Sequence, residues 1–300
     1  MRALPWLALI GALLLGGPLA AEERTLTHDG LERRYLIDHP GPAAEGTRWP
    51  LVMVLHGGGG NGENARRMSG FSAPRYARRA ILVYPWGTSR FAGMDRLKTW
   101  NAGHCCGFAM KRKVDDVGFL AALIDHLVAH DHADPERVFV TGMSNGAMMA
   151  HRLGIELSGR IAGIAPVVGG LFGDESRPTH PVPALIITGA LDKNVPAEGG
   201  LGQGRGADAW DGTPLKPATY QGDFWAAANR CRPTPRVSTL AGGKVTRRAY
   251  PCPAEAPVVH LIVGDNGHAW PGGRQGSRLG DAPSRALDAT RAMWDFFMGL

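Results

Sequence analysis

At 300 residues, with 44% hydrophobic and 20% charged side chains, the chain has enough length and apolar content to bury a sizeable core, which excludes a mainly disordered protein. Its 42 glycines and 22 prolines show no G-X-Y period, so collagen-like and low-complexity architectures are excluded as well. The formal charge of +6 comes from dispersed side chains, and the basic stretches Arg66-Arg67, Lys111-Arg112-Lys113 and Arg247-Arg248 are short, which argues against a nucleic-acid footprint.

Residues 1–21 read as a secretory signal peptide: Arg2 supplies the positive start, Leu4 to Leu15 the apolar run, and Gly16-Gly17-Pro18 the break before the small pair Ala20-Ala21. The run is shorter than the ~20 apolar residues of a membrane span. No cysteine follows it to carry a lipid. The expectation is export to the periplasm or the medium, no stable membrane insertion once the leader is removed, and one domain over 22–300.

Along the rest of the chain, Arg24 to Asp38 alternates and suits an antiparallel edge. Leu51 to Leu55, Ile81 to Tyr84, Val138 to Val140, Ile161 to Val168, Leu185 to Ile187 and Val258 to Val263 are short apolar runs without strict alternation, as expected of strands buried on both faces. Between them Val114 to Ala129 spaces Val117, Leu120, Ile124 and Leu127 for a helix, Asn145 to Leu157 follows a strand directly, and Ala286 to Phe297 closes the chain as a helix. Residues 196–217, rich in Gly and Pro, predict a long surface loop. The fold class is therefore α/β, a mostly parallel central sheet with helices on both faces.

An exported chain makes its four cysteines candidates for disulfides, with three possible connectivities. Cys231 and Cys252 flank a predicted hairpin, Arg236 to Tyr250 around Gly242-Gly243, and are assigned to each other. Cys105 and Cys106 are then a vicinal disulfide or two thiols. A zinc site is disfavoured, since no second Cys-x-x-Cys pair or suitably spaced Cys/His set exists.

The chemistry concentrates in three places. Val138 to Val140 runs into Gly142-Met143-Ser144-Asn145-Gly146 and a helix-forming stretch, a Gly-x-Ser-x-Gly at a strand-to-helix turn that would expose Ser144 at the carboxyl end of the sheet. The competing reading is a tight turn with an ordinary serine. A nucleophilic serine needs a base and an acid that orients it. Asp192 follows the Leu185 strand and His268 follows the Val258 strand, so Ser, Asp and His occur in the chain order of an α/β-hydrolase triad. His56-Gly57-Gly58-Gly59-Gly60-Asn61 follows another strand, and Gly58 N–H with Asn145 N–H are the candidate oxyanion donors. The glycine run lacks the Gly-Lys-Ser/Thr of a phosphate loop.

Other features read as structural. His126, His130 and His132, with Asp125 and Asp131, lie at a helix end where histidine complements the dipole, so no metal is assigned. Asp115-Asp116 reads as a helix cap. Trp86, Trp100 and Trp270 lie near strand ends, where each could either line an acyl pocket or pack in the core or on the surface; Trp270 and Trp100 are the candidate substrate-binding residues.

The motifs HGGGGN (56–61), WNAGHCCG (100–107), VDDVGFL (114–120), GMSNGAMMA (142–150) and GHAWPGG (267–273) resemble those of secreted α/β-hydrolases of the polyhydroxybutyrate depolymerase and feruloyl esterase type, over about residues 30–298. The resemblance implies the α/β-hydrolase fold, hydrolysis of carboxylic esters, and the triad roles of Ser144, Asp192 and His268. Short acyl, hydroxyacyl-oligomer or hydroxycinnamoyl esters are the expected substrates, rather than insoluble polyester or long-chain lipid, because neither an added polymer-binding module nor an apolar lid segment is evident. No cofactor is expected, and the oligomeric state is left open. The alternatives are an exported serine peptidase of the same fold and a non-catalytic binding protein.

Overall fold

The computed structural model describes residues 21–300 apart from 43, 92, 205 and 206. The expected leader therefore lies almost wholly outside the described residues. The N-terminal alternation folds as a hairpin of β1 (Glu22–His28) and β2 (Leu31–Asp38), with β1 outermost. There follow β3 (Trp49–Leu55), α1 (Gly62–Ser69), α2 (Pro74–Ala77), β4 (Ile81–Pro85), α3 (Gly107–Lys111), α4 (Asp116–His130), β5 (Ala133–Met143) and α5 (Asn145–Glu156). The second half contributes β6 (Gly163–Val167), β7 (Ala184–Gly189), α6 (Thr219–Ala228), β8 (Arg236–Leu240), β9 (Val245–Tyr250), β10 (Val258–Val263) and α7 (Ala289–Met298).

All ten strands join one sheet in the order β1-β2-β4-β3-β5-β6-β7-β10-β9-β8. The six inner strands from β4 to β10 pair in parallel, and antiparallel hairpins finish both edges. Successive side chains of a strand point to opposite faces. Leu51, Met53 and Leu55 of β3 accordingly pack with Phe119, Leu123 and Leu127 of α4, Met149 and Leu153 of α5, and Trp225 of α6. Val52 and Val54 pack on the other face with Met68 of α1, Tyr76 of α2, and Met293, Trp294 and Phe297 of α7. Burial on both faces is why these strands are continuous apolar runs rather than alternating ones.

Helix ends follow local chemistry. Asp115 caps α4 by accepting the Gly118 N–H at 2.9 Å, and Asp288 caps α7 by accepting the Arg291 N–H at 3.0 Å. Asp116, expected to share the capping role, is instead buried in an ion pair with Arg33 at 2.7 Å and accepts the Asn101 N–H. Among the acids near the α4 histidines, Asp131 pairs with Arg24 and Asp125 with Arg160.

The hairpin of β8 and β9 forms as expected, and a disulfide joins Cys231 to Cys252 across its base. Cys105 and Cys106 are joined as a vicinal pair. Among the described residues no helix is long and apolar enough to cross a membrane.

Candidate active site

Ser144 stands between the end of β5 and the start of α5, with φ 57° and ψ −122°. Such left-handed geometry is costly for a residue with a Cβ and persists only where the surroundings enforce it. The flanking glycines are part of that enforcement. A Cβ at Gly142 would come within 2.6 Å of the Gly146 carbonyl, and one at Gly146 within 2.5 Å of the main-chain oxygens of Leu55 and His56. Only glycine lets β3, β5 and the head of α5 approach this closely. The turn is further held by Ser144 N–H donating to Val167 O at 3.0 Å.

Asp192 and His268 lie beyond the carboxyl ends of the parallel neighbours β7 and β10. Their loops are tied together by Ala190 N–H to Val263 O at 3.0 Å and Leu191 N–H to Asn266 O at 2.9 Å. His268 Nδ1 sits 2.7 Å from Asp192 Oδ2. The other carboxylate oxygen accepts the Asn194 and Val195 N–H groups at 2.8 and 2.9 Å, and the Asp192 side chain has no exposed surface. A buried carboxylate held by two N–H groups is a fixed acceptor, which places the proton of a neutral His268 on Nδ1 and leaves Nε2 unprotonated. Asp281, which no motif or spacing marks, accepts the His268 N–H on its Oδ2 at 2.7 Å and braces the histidine loop from a segment 13 residues away.

Ser144, Asn145, Gly58 and His268 line one cleft of about 1140 Å³. Gly58 neighbours the Ser144 turn, since a Cβ built on it would lie 3.8 Å from the Asn145 Cβ. The N–H groups of Gly59 and Gly60 are engaged by Lys98 O and Gly57 O. Asn145 occupies the first position of α5, where N–H groups have no intrahelical acceptor and the helix dipole favours negative charge.

The side chain of Asn145 has a separate task that spacing did not reveal. Its Oδ1 accepts from Trp100 N at 2.7 Å and its Nδ2 donates to Trp100 O at 3.0 Å. The Trp100 indole in turn donates to His56 O at 3.0 Å and packs on the His56 ring. His56 is buried and accepts the Gly87 N–H, and burial pulls its pKa down to about 4. The glycine loop and the Ser144 turn are thereby locked through one neutral, hydrogen-bonded network.

The aromatic expectation is corrected. Trp270 and Trp100 are both fully buried and neither reaches the cleft. Trp270 packs on Phe71 in the core on the α7 side and donates its indole N–H to Thr290. Trp86 is buried in the same core. For Trp270 and Trp100, burial of a large indole with its N–H satisfied is worth more than facing solvent. The tryptophan that lines the cleft is Trp210, on the 196–217 loop, together with Phe108, Leu191 and Leu279.

The chain matches the family model described as esterase PHB depolymerase over residues 34–185. It is 32% identical to a Nocardia uniformis subsp. tsuyamanensis protein named as esterase NocK, over 90% of this chain and 80% of the relative. It is 26% identical to feruloyl esterase C of Emericella nidulans, over 98% of this chain and 97% of the relative. An acetyl xylan esterase structure from Aspergillus awamori superposes with a TM-score of 0.61 at 14% identity, covering 93% of this chain and 100% of that one. The fold is that of the α/β-hydrolases.

Proposed function

The chain belongs to the PHB depolymerase family of esterases and is a carboxylic ester hydrolase, and from that premise we propose that it works as a serine esterase through an acyl-enzyme. Ser144 Oγ attacks the ester carbonyl while His268 Nε2 takes its proton. Asp192 keeps the imidazole in the right tautomer and stabilises the imidazolium. The N–H groups of Gly58 and Asn145 bind the oxyanion. His268 then protonates the leaving alcohol, and water, activated by the same imidazole, releases the acid and restores Ser144. The observation that carries this reading is the 2.7 Å contact of His268 Nδ1 with the buried Asp192 carboxylate, in a cleft that also exposes Ser144.

The substrates are esters of short acyl, hydroxyacyl-oligomer or hydroxycinnamoyl groups. A cleft of about 1140 Å³ with an aromatic wall supports this, as do relatives whose names specify feruloyl and acetyl xylan esters. Residues 22–300 form the catalytic unit, exported by the leader at residues 1–21, and the two disulfides suit an oxidising compartment. The test is a pair of measurements on Ser144→Ala: hydrolysis of p-nitrophenyl acetate, and labelling by a fluorophosphonate. Turnover should fall by about 10⁴-fold or more, and the covalent mass addition seen on the native enzyme should vanish. Retained turnover would end the proposal.

A further inference from the structure

His104 sits at the junction of three segments. Its Nε2 lies 2.8 Å from Asp174 Oδ2, and its Nδ1 lies 2.7 Å from Asp211 Oδ2 and 3.0 Å from Thr213 Oγ1. Asp211 N–H donates to His104 O at 3.1 Å, and Cys105 and Trp210 form a β-bridge alongside. These contacts clamp the outer part of the 196–217 loop onto the 100–107 segment. The base of the loop is closed separately by the reciprocal pair Gly200 and Leu215. Between the two anchors Trp210 faces the cleft that holds Ser144. Its ring packs edge-on against Phe172 at 6.1 Å, and Phe172 packs on the His104 ring at 4.8 Å.

We propose that Trp210 is the specificity wall for the acyl group and that His104 is the positioning residue that sets it, an inference that rests on the esterase reading above. An aromatic face of this kind favours a planar aryl acyl group over acetyl. Only the doubly protonated imidazole can donate to both carboxylates at once. Burial lowers the affinity of His104 for its second proton, but the hydrogen bonds and charges of Asp211 and Asp174 outweigh it and raise its pKa from the ordinary histidine value. On its other side His104 lines a cavity of about 520 Å³ shared with Lys113, Asp115, Arg152, Glu156 and Glu175, whose charges nearly balance. As pH rises past this raised value, one carboxylate loses its donor and the loop loosens.

The experiment is the ratio of kcat/KM on a p-nitrophenyl hydroxycinnamate to that on p-nitrophenyl acetate, measured from pH 6 to 9. Because both esters meet the same free enzyme, any ionisation that both reactions share cancels in the ratio. Trp210→Ala and His104→Ala should each reduce the ratio by roughly tenfold, mainly through KM of the aryl ester, and the double variant should lose no more than Trp210→Ala alone. The native ratio should fall on the alkaline side. In Asp211→Asn, which keeps a polar partner for His104 should the alanine variant fail to fold, the fall should move to lower pH. Losses that multiply in the double variant, a ratio indifferent to Trp210→Ala, or a pH-independent ratio would overturn the inference. Acetate turnover that survives Ser144→Ala would instead overturn the esterase mechanism, so the two failures are distinct.

Discussion

The side-chain amide of Asn145 closes on the main chain of Trp100, accepting its N–H at 2.7 Å and donating to its C=O at 3.0 Å. Both partners are buried, so removing the amide strands two main-chain groups away from water. Asn145→Ala keeps its own backbone N–H, the proposed oxyanion donor. It should therefore lower stability by about 1–3 kcal/mol, read by urea unfolding, and reduce kcat because the turn beside Ser144 is no longer braced. An unchanged unfolding midpoint would show that the clamp contributes nothing.

Asp192→Asn separates orientation from folding. The amide oxygen can still accept the Asn194 and Val195 N–H groups, while its NH₂ faces His268 Nδ1 and selects the wrong tautomer. Turnover should drop by about 10⁴-fold with little change in Tm. A large loss of Tm alongside the loss of turnover would mean that the carboxylate charge also supports the fold.

Three buried histidines other than His268 should govern acid stability. Burial holds His56 and His151 down to about 4 and His260 to about 3, against an ordinary value of 6.5. Below pH 6.5 the unfolded chain binds protons that the folded one refuses, so stability present at neutral pH is lost as pH falls. Each histidine contributes a slope of about 1.4 kcal/mol per pH unit between 6.5 and its folded value. Urea unfolding at pH 8, 7, 6 and 5 should show stability level above 7 and declining below 6.5. His151→Gln, if folded, should flatten the decline by one proton. Constant stability from pH 8 to 5 would contradict the assignment.

The Cys231–Cys252 disulfide spans a sequence separation of 21 and leaves the cleft untouched, since neither cysteine lines it. Replacing both by serine should cost about 3 kcal/mol, mostly through the freedom restored to the unfolded chain. Tm should fall while kcat of the folded enzyme at 25 °C stays near the native value. A matching fall in kcat would place the hairpin in communication with the cleft.

What the sequence determined by itself was local or strongly patterned. The inner strands were legible from Leu51 to Val263 because burial on both faces leaves no polar alternation to confuse them. The Ser144 turn was legible because glycines at 142 and 146 answer a steric demand set within five residues. The meeting of Asp192 and His268 is legible because each follows its own strand, and parallel pairing of β7 with β10 brings the two loops together. The hairpin and its flanking cysteines were equally local. Helix α6 had no such signal: Phe224, Trp225 and Ala226 are consecutive rather than spaced at a helical period.

Only the tertiary structure decided where side chains point once the chain leaves a strand. Trp270, two residues from His268, turns into the core, whereas Trp210 reaches the cleft from a loop anchored by His104. Asp116, adjacent to a helix cap, is drawn inward by Arg33, and Asp281 braces His268 from another segment. Each outcome depends on a partner distant in the chain and on the direction of a Cβ in an irregular segment. Neither has a period, so no spacing rule could have supplied them.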